Sequence, residues 1–324
     1  WMYKVAIGWL TWELTQSTAW LGIVAFADTF PTVIMSIVAG VWADRFGYLP
    51  IMRLSQTVML LAGALIAVLA YAEALGIGSI VALALVIGTS EAITQPARIS
   101  IVHRLVPKED LAAAIALNSA TFNLSRFLGP TIAGALIIWV SLPFVIALSA
   151  ATFAIFYGAL FFLKSYEPEK GKPEHSGIFR DLIDGFRYSF GHPGISFLLI
   201  LLSVTALLIR PYMDLDPGIS VNMFGQGATG MAILLSSTGA GGLIAGLYLA
   251  QRGETRGLTR LVTGSFLVSA IFLILFTISG RIWLAAVALS LVGFFILVVL
   301  PHLALIQMHL YFTSAQFYHG RILV

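Results

Sequence analysis

The chain has 324 residues, 59% of them hydrophobic and 10% charged, with a mean hydropathy of +0.95. A soluble domain carries roughly 25% charged residues, so a water-soluble fold is excluded; the uncharged runs 144–163 and 261–279 are each about as long as the ~20 apolar residues that cross a bilayer. The net charge of +3 does not point to nucleic acid, because no basic patch is interleaved with exposed aromatics, and the absence of cysteine excludes disulfides, thiol chemistry and Cys-based zinc sites.

Taken in chain order, apolar runs and helix breakers predict a partial helix over 1–14. Full helices follow over 19–43, 50–72, 78–102, 111–139, 142–163, 194–213, 228–250, 258–279 and 282–307. The first segment starts within apolar sequence and is too short to span. After Gln307 the sequence turns mixed and aromatic, then stops. The chain therefore reads as shortened at both ends.

The gaps between helices alternate in charge. One set holds Arg45; Arg98, Arg104 and Lys108; Lys164, Lys170, Lys172, Arg180 and Arg187; Arg252, Arg256 and Arg260; and Arg321. The other holds Glu13, Glu73, Asp214 and Asp216, with Arg281 as its single base. Thirteen basic residues against one assign the first set to the cytoplasm. On this reading Asp214 and Asp216 lie in an outer loop, and the turn at Gly218 faces outside.

The longest hydrophilic segment divides the chain into an N-terminal helical half (1–163), a cytoplasmic linker (164–193) and an incomplete C-terminal half of four helices (194–324). The linker begins as Glu-Pro-Glu-Lys-Gly-Lys-Pro, a flexible composition. It continues with Ile178, Phe179, Leu182, Ile183, Phe186 and Phe190 at helical spacing, the pattern of an amphipathic helix on the inner membrane surface. A faint repeat joins the halves. Ala39-Gly-Val-Trp-Ala-Asp-Arg45 ends the second helix, and Ala245-Gly-Leu-Tyr-Leu-Ala-Gln-Arg252 ends the eighth, six helices later, as two parallel repeats require.

No His-Glu-x-x-His, Gly-x-Ser-x-Gly or phosphate-binding Gly-x-x-x-x-Gly-Lys motif is present, so neither an enzyme nor an ATP-driven pump is expected. His302 and His309 share a helix face without a carboxylate beside them and read as polar lining, not a metal site. The most specific stretch is Gly40-Val-Trp-Ala-Asp44-Arg45-Phe-Gly47. It resembles the Gly-x-x-x-Asp-Arg-x-Gly signature of the major facilitator superfamily, in the loop between helices two and three. Tyr48-Leu49-Pro50 departs from the basic residues expected next, leaving Arg53 as the nearest substitute. In helix five, Ala116, Ser125, Gly129, Pro130, Ala133 and Gly134 fill the slots of that superfamily's antiporter pattern with small residues and one kinking proline. Gln95-Pro-Ala-Arg98, Val106-Pro-Lys-Glu109, Leu117-Asn118-Ser119 and Arg210-Pro-Tyr212 are similar to the exporter branch that includes the enterobactin exporter and macrolide and drug efflux proteins.

The resemblance implies an all-α membrane bundle of two pseudo-symmetric six-helix halves, with about ten of twelve helices present. It further implies export of small amphipathic, drug-like or siderophore-like molecules by alternating access in the inner or plasma membrane of a prokaryote. Expected partners are the small-molecule substrate, protons or else sodium, and membrane lipid; the protein is expected to be monomeric, without cofactor or nucleic acid. A shortened, non-transporting chain or a membrane scaffold is the alternative. Charges within membrane helices are costly and default to function. They are Lys4, Asp28, Glu91, Arg126 and Arg210, with Gln95 one turn from Glu91 and Asn123 beside Arg126. A carboxylate among them could carry protons, or Glu91 and Arg126 could form a fixed ion pair.

Overall fold

The structure is a computed structural model that describes residues 1–163, 190–191, 196, 200, 211–252 and 258–296, with some side chains within these stretches excluded. Every regular element among the described residues is helical. They are α1 (Met2–Thr15), α2 (Thr18–Phe46), α3 (Tyr48–Tyr71), α4 (Ile77–Leu105), a 3-10 turn (Lys108–Asp110), α5 (Leu111–Trp139) and α6 (Leu142–Phe162). Then come α7 (Pro211–Phe224), α8 (Gly227–Arg252), α9 (Leu258–Ile278) and α10 (Ile282–Ile296). Five of these are long and apolar enough to cross a membrane: Thr18–Met35, Tyr48–Tyr71, Ile77–Val102, Leu142–Phe162 and Gly227–Tyr248. The linker 164–189, Arg210, His302 and His309 lie outside the described residues.

Local chemistry sets the boundaries. Gly47 alone separates α2 from α3, at φ 89° and ψ 149°, a conformation that a side chain strains. Ser141 begins α6 by accepting a hydrogen bond from the Phe144 amide at 3.3 Å, with Pro143 pre-set at the helix start. Gly225 and Gly227, both at positive φ, turn the chain from α7 into α8. Ser220 Oγ donates to the Gly227 carbonyl at 2.6 Å and ties this turn down.

Helix α7 revises the expected topology locally. The outer loop predicted to hold Asp214, Asp216 and Gly218 is helical through Phe224. Pro217 reads as a breaker, yet a membrane helix tolerates proline where neighbouring groups re-satisfy the backbone. Gly218 is buried against Trp12 and Thr18, and the surface turn is Gly225–Gln226.

The chain forms two compact units: Trp1–Pro168 with Met213–Ser236, and Glu169–Tyr212 with Ser237–Val324. In the first, α2 runs along α4, α3 packs on α4 and α6, and α1 lies against α2, α5 and α6. Its main core gathers Trp9, Trp12, Leu21, Ile66, Ile80, Ile87, Val145, Ile146 and Met231. A second cluster joins Ala43, Leu49, Met52, Ala97, Ile101 and Leu160. There Arg53 donates to the Leu160 carbonyl at 2.9 Å and stacks on the Phe161 ring, capping the end of α6. In the second unit, side chains at Gly241 and Gly293 would collide with the backbone carbonyls of Ser290 and Thr238, so α8 and α10 touch backbone to backbone.

The surface is the reverse of a soluble protein's. Phe26, Leu54, Ile155 and Phe162 point outward, while Ala6, Ala39, Ala97 and Ala133 have almost no exposed area. Large apolar groups facing outward, with alanines among the buried residues where helices meet, is the arrangement that lipid selects.

Candidate functional site

Three helices of the first unit bring their charges together. Lys4 Nζ of α1 donates to Asp28 Oδ2 of α2 at 2.7 Å and stands 3.7 Å from Glu91 Oε2 of α4. The side chains of Lys4, Asp28 and Glu91 are 31%, 11% and 46% exposed, so Glu91 opens to the surroundings while Asp28 is closed in. One cation thus serves two carboxylates, and the group carries a formal charge of −1 when all three are ionised. Asp28 Oδ1 has no hydrogen-bond partner among the described residues, nor has the buried Tyr3 hydroxyl on the same helix as Lys4.

Backbone packing holds this cluster. Gly88 of α4 meets the Asp28 carbonyl where any side chain would stand, and Glu91 follows three residues later, on the same side of the helix. Pro31 of α2 has no amide hydrogen, so the Ala27 carbonyl next to Asp28 loses its helical donor. The crossing of α2 and α4 therefore fixes the two carboxylates, and α1 delivers the lysine between them.

The other expected residues are arranged differently. Gln95, one turn beyond Glu91, accepts from Arg98 at 2.9 Å on the exposed side of α4. Arg126 of α5 lies against Met213 Sδ at 3.7 Å and over the Trp1 ring at 5.6 Å, while the close cation at Glu91 is Lys4. Asn123 and Ala116 lie on α5, and Asp44 lies near the end of α2.

The helix-five pattern acts as a packing surface. Gly129 abuts Trp1, Gly134 abuts Ala232 of α8, and Thr131 donates to Ser236 at 2.8 Å, while Ser125 is exposed. Small residues here let α1 and α8 approach α5 closely. Of the signature residues, Gly40 has open space around its α-carbon, Arg45 stacks over Phe46 and Gly47 makes the turn.

Asp216 is the acid that the sequence reading set aside as a loop residue. It lies in α7 with no exposed surface. The signal was the apolar positions Ile219, Val221, Met223 and Phe224 continuing past Pro217-Gly218, which two helix breakers and a neighbouring acid disguised.

The sequence profile described as "Transmembrane secretion effector" matches residues 1–323. The staphyloferrin A transporter of Staphylococcus aureus is 24% identical over 299 residues, covering 91% of this chain and 74% of that protein. Macrolide efflux protein A of Streptococcus pyogenes is also 24% identical, covering 91% and 71%. Among solved structures, a bacterial homolog of the human lysosomal transporter Spinster, inward-facing and occupied, superposes with a TM-score of 0.64 at 13% identity, over 93% of this chain and 71% of that one. The human organic anion transporter (TETRAN) gives 0.61 at 20%, over 88% and 68%, and the D-xylose-proton symporter 0.60 at 12%, over 93% and 78%. The chain belongs to the transmembrane secretion effector family of the major facilitator superfamily: it is a multi-pass plasma-membrane transporter that binds a small-molecule substrate, with an efflux protein among its relatives, and not an enzyme.

Proposed function

We propose that the protein exports small amphipathic molecules, drug-like or siderophore-like, in exchange for protons, with sodium as the alternative coupling ion. It works as a monomer in membrane lipid, alternating access between the halves 1–163 and 194–324 across the linker 164–193. The relatives' names support the substrate class: one is a staphyloferrin A transporter and one a macrolide efflux protein. The observation that carries the coupling is the single lysine shared by Asp28 and Glu91.

At an effective dielectric of ~20, Lys4 attracts Asp28 by about 6 kcal/mol and Glu91 by about 4.5 kcal/mol. The exposure of Glu91 lowers its share further. Breaking Lys4 away from both would need far more than the ~2.3 kcal/mol that one charge gains per 100 mV. Handing Lys4 from Asp28 to Glu91 needs only the difference, about 1.5 kcal/mol before that screening correction. A proton arriving on Asp28 removes the stronger attraction and releases Lys4 toward Glu91. A proton leaving Asp28 restores it. The lysine's position then reports the proton's presence to α1, α2 and α4 together.

Asp28→Asn and Glu91→Gln, made separately in full-length protein, test this with a macrolide probe at two external pH values. Uphill efflux is expected to fall in each, with downhill exchange retained. If both variants pump uphill like the parent and with its pH dependence, the cluster is structural.

A further inference from the structure

A different carboxyl group lies outside this cluster. Asp216 in α7 is fully buried, and neither of its oxygens has a hydrogen-bond partner among the described residues. An isolated acid in such a place costs several kcal/mol and persists where something offsets it. Another oxygen lies on the same turn of α7. Pro217 cannot donate to the Met213 carbonyl one turn back, so that oxygen lacks its usual helical donor. The following residues pack on α1 and the start of α2: Pro217 faces Gly8, and Gly218 lies against Trp12 and Thr18. On that stretch of α1, Thr11 is also fully buried, and its hydroxyl has no partner among the described residues.

Among the described residues, no basic side chain is hydrogen-bonded to Asp216. Asp214, two residues back, is a second acid. Arg126 reaches α7 from α5 at Met213, with its guanidinium at the sulfur and over Trp1. On α1, Lys4 serves Asp28 and Glu91, and Glu13 accepts from Trp9 Nε1 at 2.6 Å. A carboxylate on the same helix as a carbonyl that proline deprives of its donor offers oxygens of the kind that hold a proton or a small monovalent cation in a transporter helix.

We propose that Asp216 is a second cation site, which takes a single proton or sodium ion from solution and carries it through the transport cycle. This rests on the transporter reading, since only a transporter gives the bound ion a gradient to run down. It differs from the Lys4 cluster in having no lysine hydrogen-bonded to it among the described residues, so binding and release here change the charge on α7 directly.

The test needs no substrate and no variant. Full-length protein in lipid nanodiscs is treated with dicyclohexylcarbodiimide, which modifies buried protonated carboxyl groups, and the Asp216-containing peptide is measured by mass spectrometry. A proton site predicts labelling of Asp216 under acid conditions and its near-complete loss at alkaline pH, with no effect of sodium. A sodium site predicts loss of labelling when sodium replaces choline at constant pH and ionic strength. Absence of Asp216 labelling at every pH, or labelling that neither pH nor sodium changes, overturns the proposal. Separately, absence of macrolide counterflow by the same protein would overturn the proposed export and leave the labelling result standing.

Discussion

Lys4→Gln is the most informative single change in the cluster. It removes the cation 2.7 Å from Asp28 and 3.7 Å from Glu91 and leaves two acids facing each other across α2 and α4. Breaking one side of a buried ion pair costs about 3–5 kcal/mol. Because Lys4 is 31% exposed and Glu91 46%, the lower end of that range, about 3 kcal/mol, is the expected loss. The double variant Lys4→Gln with Asp28→Asn removes both ends of the short contact and should recover most of this. Unfolding of the purified full-length protein in mixed detergent, followed by tryptophan fluorescence, measures all four corners of the cycle. The expected coupling between the two sites is about 1.5 kcal/mol or more, within the usual range for residues in contact. A Lys4→Gln variant as stable as the parent, or a double variant as unstable as Lys4→Gln, would refute the assignment of Lys4 as the shared counter-ion.

Gly88→Ala places a methyl group against the Asp28 carbonyl; it should cost about 1–3 kcal/mol as the helices separate and reduce uphill macrolide efflux more than downhill exchange. Gly47→Ala forces a side chain into φ 89°, and unfolding should show a loss of about 1–3 kcal/mol, with insertion into the membrane unchanged. Asp44→Ala should impair efflux by the full-length protein while leaving its membrane level normal, because the signature residue is expected to act in the transport cycle. Normal efflux in that variant would make the motif match accidental.

Composition alone decided that the chain lives in lipid. A tenth of the residues charged, gathered between long apolar runs, leaves no other solvent. Helix positions followed from the same runs: α5 spans Leu111–Trp139, the range expected, and α6 and α9 differ from expectation by one residue at one end. Such agreement is physical, since a membrane helix must satisfy its own backbone and so is encoded locally. The family signature was legible too, because Gly47 answers to a local turn.

Pairing across helices was not legible. Lys4, Asp28 and Glu91 each stood out as a charge in apolar sequence, yet nothing in the chain says which two helices cross at Gly88 and bring the acids to one lysine. The repeat shows the same limit. Gly88 and Gly293 each stand eleven residues after the first residue of α4 and α10, and each meets a carbonyl midway along α2 or α8. Sequence showed only a shared Ala-Gly helix end. Helix α7 marks the opposite failure, where local rules misread Pro217 as a stop. Its neighbours α1 and α2 enclose Pro217 and Gly218, and only that packing decides that Asp216 is a buried acid and not a loop residue in water.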